Sequence, residues 1–273
     1  MGVASARRRI NYATMPCKLW IDVSDSSTLF NAVTGGSLPA SGGNIHRIED
    51  KSGNGYHLTQ ATSGLTPKRT VGALGGKDGA SFNGARIAAT TAADWNFMHN
   101  GVEPYLVSMV IKLEPISTSS AGAIYATHEL SSGAAPGTSL LHDNRTGIGR
   151  TNTILALCSR NSSGTFAFNN IGNANIIVPG VYAVLSHLVD SGNVSGPARS
   201  RAYNANSAVS ANNTSTLSPS IATAFKPFTI GASNTGVLPM TATLCEMKIT
   251  TGLYATDQMR QNIKSALQAK WGI

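Results

Sequence analysis

Thirteen acidic side chains and six histidines are the groups in this chain that could move protons or hold a metal ion. A retaining glycan hydrolase needs two carboxylates about 5–5.5 Å apart. On one strand that requires an i, i+2 or i, i+4 spacing. The closest acidic pairs are Asp22/Asp25 and Glu49/Asp50, and neither spacing puts both groups on one strand face. A site assembled from distant strands is left open by spacing alone. Asp50-Lys51-Ser52-Gly53-Asn54-Gly55 opens like a calcium loop, with oxygens at positions 1, 3 and 5 and Gly at 6. Position 12, which should be a bidentate Glu, is Ala61. The segment therefore reads as a hairpin turn, with a loose cation site helped by Asp22 and Asp25 as the minor alternative. His46, His57, His99, His128, His142 and His187 form no His-Glu-x-x-His pair and no i, i+4 pair. The sequence has no Gly-x-Ser-x-Gly elbow, P-loop or dinucleotide fingerprint. Accordingly we expect no catalytic residue, no metal and no cofactor.

The elements that would position these groups are short and β-like. Strands are expected at 18–23, 45–50, 56–62 and 105–113, and as two pieces around Asn83-Gly84 within 78–87. Further strands are expected at 123–127, 139–142, 154–159, 165–168, 182–189, 199–204, 228–230 and 241–249. Asp25–Phe30 reads as a turn, 31–44 as a Gly/Ser/Pro loop, and 92–99 as a helical turn. Asn54-Gly55 between extended runs predicts a hairpin. Only the end of the chain breaks the pattern. Met259, Ile263, Ala266, Leu267 and Trp271 fall at helical spacing behind Thr256, a good N-cap. Short strands punctuated by Gly and Asn, with one amphipathic helix, argue for an all-β, two-sheet antiparallel sandwich.

Composition agrees. Charged residues are 12% of 273, about half the usual share. The formal net charge is +8, which favours anionic partners. Arg7-Arg8-Arg9 is the one dense basic run, in a segment 1–16 that reads as an irregular arm ahead of a domain 17–273. The arm reads either as solvated chain or as an anchor to an acidic partner. Cys17, Cys158 and Cys245 are odd in number and far apart, which argues for free thiols over a disulfide framework. Trp20, Trp95 and Trp271 read as core anchors. Aromatics are not interleaved with Lys and Arg, which disfavours nucleic acid. No 18-residue apolar stretch and no secretory signal is visible.

Five segments carry a family likeness: Leu19 to Thr28, Asp50 to Gln60, Pro67 to Gly84, Asp94 to Gly101, and Glu246 to Gly272 with its closing Lys270-Trp271-Gly272. Together they resemble the LamG-like, concanavalin A-like jelly-roll domains of many tailed-phage and bacterial surface proteins. Ile48 stands where that family often has Trp, and Ile249 to Leu253 replaces its usual link to the helix. The resemblance implies a two-sheet jelly roll with a C-terminal helix. It transfers no sugar or calcium ligand, because none matches residue by residue. The expected function is a non-enzymatic structural protein of a tailed-phage virion, in the head decoration, tail or fibre. It would be present in many copies or as a homo-oligomer, with other virion proteins and host surface glycans as partners and no membrane. A carbohydrate-binding module is the alternative, and a glycoside hydrolase using Asp22 or Glu49 the second.

Overall fold

A computed structural model describes residues 11–128, 137–160, 166–171, 177–190, 200–204, 222–233 and 236–273. Two antiparallel sheets face each other across one core. The seven-stranded sheet holds β5 (Lys68–Leu74), β6 (Lys77–Asn83), β16 (Thr241–Thr251), β8 (Tyr105–Leu113), β13 (Tyr182–Val189) and β14 (Ser200–Asn204), with β1 (Leu19–Asp22) also on β16. The nine-stranded sheet runs β12 (Phe166–Ile171), β11 (Thr153–Arg160), β10 (Thr138–Asp143), β9 (Ala121–Ala126), β15 (Thr229–Ile230), β7 (Ile87–Ala88), β4 (Leu58–Thr59), β3 (Arg47–Ile48) and β2 (Leu29–Phe30). This is the expected jelly-roll-like sandwich with one C-terminal helix, α1 (Asp257–Trp271).

Period-two alternation sets the core. Leu29, Ile48, Leu58, Ile87, Ile230, Tyr125 and Leu140 project from the nine-stranded sheet into the interior. Leu19, Ile21, Val107, Met109, Leu244 and Met247 meet them from the other sheet. Trp95 stacks on Phe228 at 4.6 Å between ring centroids. On the far side of the seven-stranded sheet, Leu106, Val110, Val184 and Leu188 receive Met259, Ile263, Leu267 and Trp271 of α1. Thr256 caps that helix by accepting from the Met259 N–H at 3.2 Å.

Local details differ from the sequence reading where long-range pairing decides. Leu29-Phe30 leaves the Asp25 turn to pair with β3. Asn83-Gly84 joins no hairpin: β6 and β7 belong to different sheets, and the chain crosses between them there. The hairpin lies one strand earlier, where Gly75 and Gly76 link Leu74 to Lys77 with φ of 55° and 75°. Positive φ at both central residues is what a two-residue hairpin turn demands. The 49–57 connection is also a hairpin, but a longer one than an Asn-Gly turn. Trp95 and Trp271 are buried as expected, whereas Trp20 is half-buried.

Candidate functional site

Asp22 sits opposite Glu246 where β1 pairs β16. Both face the helix side, because the register slips between Leu244 and Glu246 and turns Cys245 and Glu246 outward together. Glu246 is fully buried. It accepts from Tyr12 Oη at 3.0 Å, Trp20 Nε1 at 2.8 Å, Lys270 Nζ at 2.8 Å and Trp271 Nε1 at 2.8 Å. Asp22 pairs with Lys51 Nζ at 3.3 Å and Lys270 Nζ at 2.9 Å, and accepts from Ser24 Oγ. Burial would raise the Asp22 pKa, but the Lys270 and Ser24 hydrogen bonds and the two lysine charges outweigh it and hold the carboxyl below its ordinary value. Lys248 lies under the Tyr12 and Trp20 rings, 4.2 and 4.3 Å from their centroids, and donates to the Tyr12 carbonyl. Burial is the chief cause that lowers its pKa. Two carboxylates thus come together here, as a hydrolase would need, yet their oxygens are committed to lysines, indoles and hydroxyls. The arrangement joins the start, the 50–52 turn and the end of the chain.

The calcium-like loop has a related explanation. Asp50 Oδ1 accepts from the N–H groups of Trp20 and Ser52, and Oδ2 from Ser52 Oγ and the Tyr56 N–H, all within 3.1 Å. Backbone and hydroxyl donors thus surround this carboxylate within the hairpin. Among the described residues no group of three or more His, Cys, Asp or Glu is placed to hold a metal ion. Cys17 and Cys245 are free thiols, and burial raises their pKa to about 11 and about 12. The Cys158 side chain and Arg7, Arg8 and Arg9 lie outside the described residues.

The histidines separate by face. His187 is buried in the core, where its ring bonds Tyr125 Oη and Ser200 Oγ, so one imidazole ties the two sheets. Burial drives its pKa down to about 3. His57 is instead exposed, and its Nδ1 accepts from the Asp50 N–H.

The outer face of the nine-stranded sheet carries a different chemistry from the helix-covered face. Register places Phe30, Arg47, Thr59, Ala88, Thr229, Ala126 and Ser139 in one row across it. Over β2, β3, β4 and β7 this row is only half-buried. Arg47 lies 3.9 Å over the Phe30 ring, donates to the Val33 carbonyl, and pairs with Glu49 at 3.3 Å. Glu49, just past β3, reaches back to Arg47 on this face, and the exposed His57 flanks it just ahead of β4. An aromatic ring, a guanidinium, a carboxylate, an imidazole and a hydroxyl therefore share one shallow surface. Farther along, Asp143 is fully buried beneath two arginines. Arg145 forks onto it through Nε at 2.8 Å and Nη2 at 2.7 Å, and Arg150 Nη1 adds a third bond at 2.7 Å. Burial would raise the Asp143 pKa; the arginine bonds outweigh it and hold it low. A separate shallow pocket beside Ile111, Leu113, Ile177 and Leu185 is walled mainly by aliphatic side chains. It lacks the convergent polar groups that orient a sugar.

Sequence reasoning missed Glu246, Lys248 and Asp143. Glu246 and Lys248 were marked only as charged residues inside an apolar run, and Asp143 only by the arginines that follow it at 145 and 150. It placed Glu49 and Asp22 as candidate acids; the structure puts them on different sheets' faces.

No family model matches the chain, and no curated protein matches it. Solved structures do. Domain 4 of AbnA, an extracellular arabinanase of Geobacillus stearothermophilus solved in complex with arabinotriose, is similar over 91% of this chain and 98% of its own, at TM-score 0.54 and 15% identity. The binding domain of Paraclostridial Mosquitocidal Protein 1 is similar over 94% of this chain at TM-score 0.59 and 9% identity. A Trypanosoma rangeli sialidase mutant is similar over 90% at TM-score 0.52 and 9% identity. This chain spans 53% and 36% of the length of the last two. These likenesses establish the fold: a jelly-roll-like sandwich of the kind found in carbohydrate-binding and glycosidase-related domains.

Proposed function

We propose that this chain is a non-catalytic glycan-binding module, and that the glycan lies on the outer face of the nine-stranded sheet over Phe30, Arg47, Glu49, His57 and Thr59. The observation that carries this reading is the contrast between the two outer faces. One is sealed by α1. The other presents a stacked Phe30–Arg47 pair and hydrogen-bonding groups on a partly exposed surface. Sugars ask for such a surface: a ring face for C–H groups, and fixed donors and acceptors for hydroxyls. The arabinotriose complex of a domain with the same fold supports it. A glycan array followed by calorimetry tests it. Phe30→Ala and Arg47→Ala should each weaken binding roughly tenfold. Unchanged affinity in both, with the fold intact, rejects the site.

The absence of catalysis belongs to the same proposal. Asp22 and Glu246 are neutralised by lysines, and Glu49 is paired with Arg47. Turnover of a host polysaccharide that disappears in Glu49→Gln would restore the hydrolase reading. For the setting we propose the virion of a tailed phage, with Arg7, Arg8 and Arg9 as the anchor to other virion proteins. It rests on the sequence resemblance and the basic run. Mass spectrometry of purified particles tests it, and absence of the chain from them rejects it.

A further inference from the structure

We infer that His57 is a pH-gated donor in the glycan surface: its neutral ring holds Nε2–H toward a sugar oxygen, and protonation withdraws it. This inference rests on the glycan-binding reading above and names the regulation of that site. The Asp50 backbone N–H donates to His57 Nδ1 at 3.0 Å. A backbone N–H can only donate, so Nδ1 carries the lone pair and the neutral imidazole keeps its proton on Nε2. The ring is thus tied to the hairpin through one nitrogen while the residue stays exposed. Sugar hydroxyl and ring oxygens are acceptors for the N–H on the other.

The anchor of the ring is itself held in place. The Asp50 carboxylate accepts from the Trp20 and Ser52 N–H groups, Ser52 Oγ and the Tyr56 N–H, which fixes the turn on both sides of the donating peptide. The same hairpin joins the ring to the proposed surface. Glu49, beside Asp50, pairs with Arg47 at 3.3 Å, and Thr59, two residues after His57, is the register partner of Arg47. The other charges around the hairpin have partners of their own. Lys51 is committed to Asp22 and Asp25, and Lys18 of the neighbouring segment lies over the Phe97 ring. Asp94, in the turn Ala93–Met98, acts on Tyr56, whose pKa is raised first by burial and then by the Asp94 and Asp50 charges. Protonation of His57 at Nδ1 consumes the lone pair that receives the Asp50 N–H and sets two donors against each other. The imidazolium must then turn away, and the surface loses a donor of fixed direction. Imidazoles change charge between roughly pH 5 and 8, so glycan affinity falls as the medium becomes acidic.

The test uses the full chain and the neutral oligosaccharides of a glycan array, read at about pH 8 and about pH 5, with calorimetry on the tightest of them. Neutral sugars carry no charge that pH could change. Affinity should be at least roughly tenfold weaker at the acid end. Thermal melts at both pH values keep the comparison to folded chain, because buried His187 also weakens the fold in acid. His57→Asn keeps an acceptor oxygen for the Asp50 N–H and lacks the outward donor. It should bind roughly tenfold more weakly than the parent at the alkaline end, with no further loss in acid. Long-range proton–nitrogen spectra of the free chain, which need no sugar, should show the His57 ring protonated on Nε2, the signal being identified by its loss in His57→Asn. A ring protonated on Nδ1, a flat parent profile, parent-like binding by His57→Asn, or a variant profile that still falls in acid overturns the gate and leaves glycan binding standing. Binding of no oligosaccharide at either pH overturns both.

Discussion

Glu246 shows how a single residue can organise this molecule. Four donors from Tyr12, Trp20, Lys270 and Trp271 end on its two oxygens. Glu246→Ala would strand the Tyr12, Trp20 and Trp271 donors and leave Lys270 only Asp22, and removing one partner of a buried pair costs roughly 3–5 kcal/mol. Urea unfolding should show a free energy lower by about that amount, read as a lower midpoint, with binding retained in the folded fraction. His187 acts in the same way through its protonation. Its folded pKa of about 3 lies below its ordinary value of 6.5 because burial disfavours the charged ring. The unfolded chain then binds the extra proton between those limits, so stability rises with pH across that window and is lost as pH falls from 6.5 toward 3. The low pKa values of His99 and His142, also caused first by burial, act in the same direction. Melting temperature followed from pH 7 to pH 4 should fall, and His187→Gln should flatten part of that slope.

Elements are fixed here by turns and close approaches. Gly231 follows β15 at φ 97°, and a Cβ there would come within 2.4 Å of the Ala85 carbonyl and the Phe82 ring. Gly231→Ala should therefore cost roughly 2–3 kcal/mol, through backbone strain and the displaced Phe82, readable as a lower denaturant midpoint. Thr256→Ala removes the α1 cap and should cost about 1 kcal/mol. The smaller cost reflects an exposed helix end whose apolar face remains packed. The helix was legible because its spacing, cap and closing Gly272 are all local. Strands β8 and β13 were legible to the residue because they are long and buried on both faces. β5 was not: Lys68 to Leu74 mixes charge, glycine and small residues, and only its pairing with β6 makes it a strand.

At the scale of the whole molecule, two outer faces with different coverings divide the work. The helix-covered face holds the charge seam that closes the chain on itself. The other face holds the proposed glycan surface. Substitution in the seam should change stability and leave sugar affinity alone, whereas Phe30→Ala and Arg47→Ala should do the reverse. Pairing a melt with a binding isotherm for Lys270→Met and Phe30→Ala checks this division. A seam variant that folds but loses binding would break it.

The sequence by itself determined the class of fold, the helix, and the hairpin nature of the Asp50 turn. Each rests on local periodicity or on turn chemistry within a few residues. Only the tertiary structure decided that β6 and β7 part into different sheets, that Asp22 meets Glu246 across more than two hundred residues, and that Arg47 and Asp143 share one face. Those facts depend on which strands pair and in what register. Pairing is a property of the assembled sheets, and nothing in the neighbours of Asp22 marks Lys51 or Lys270, the distant partners that neutralise it.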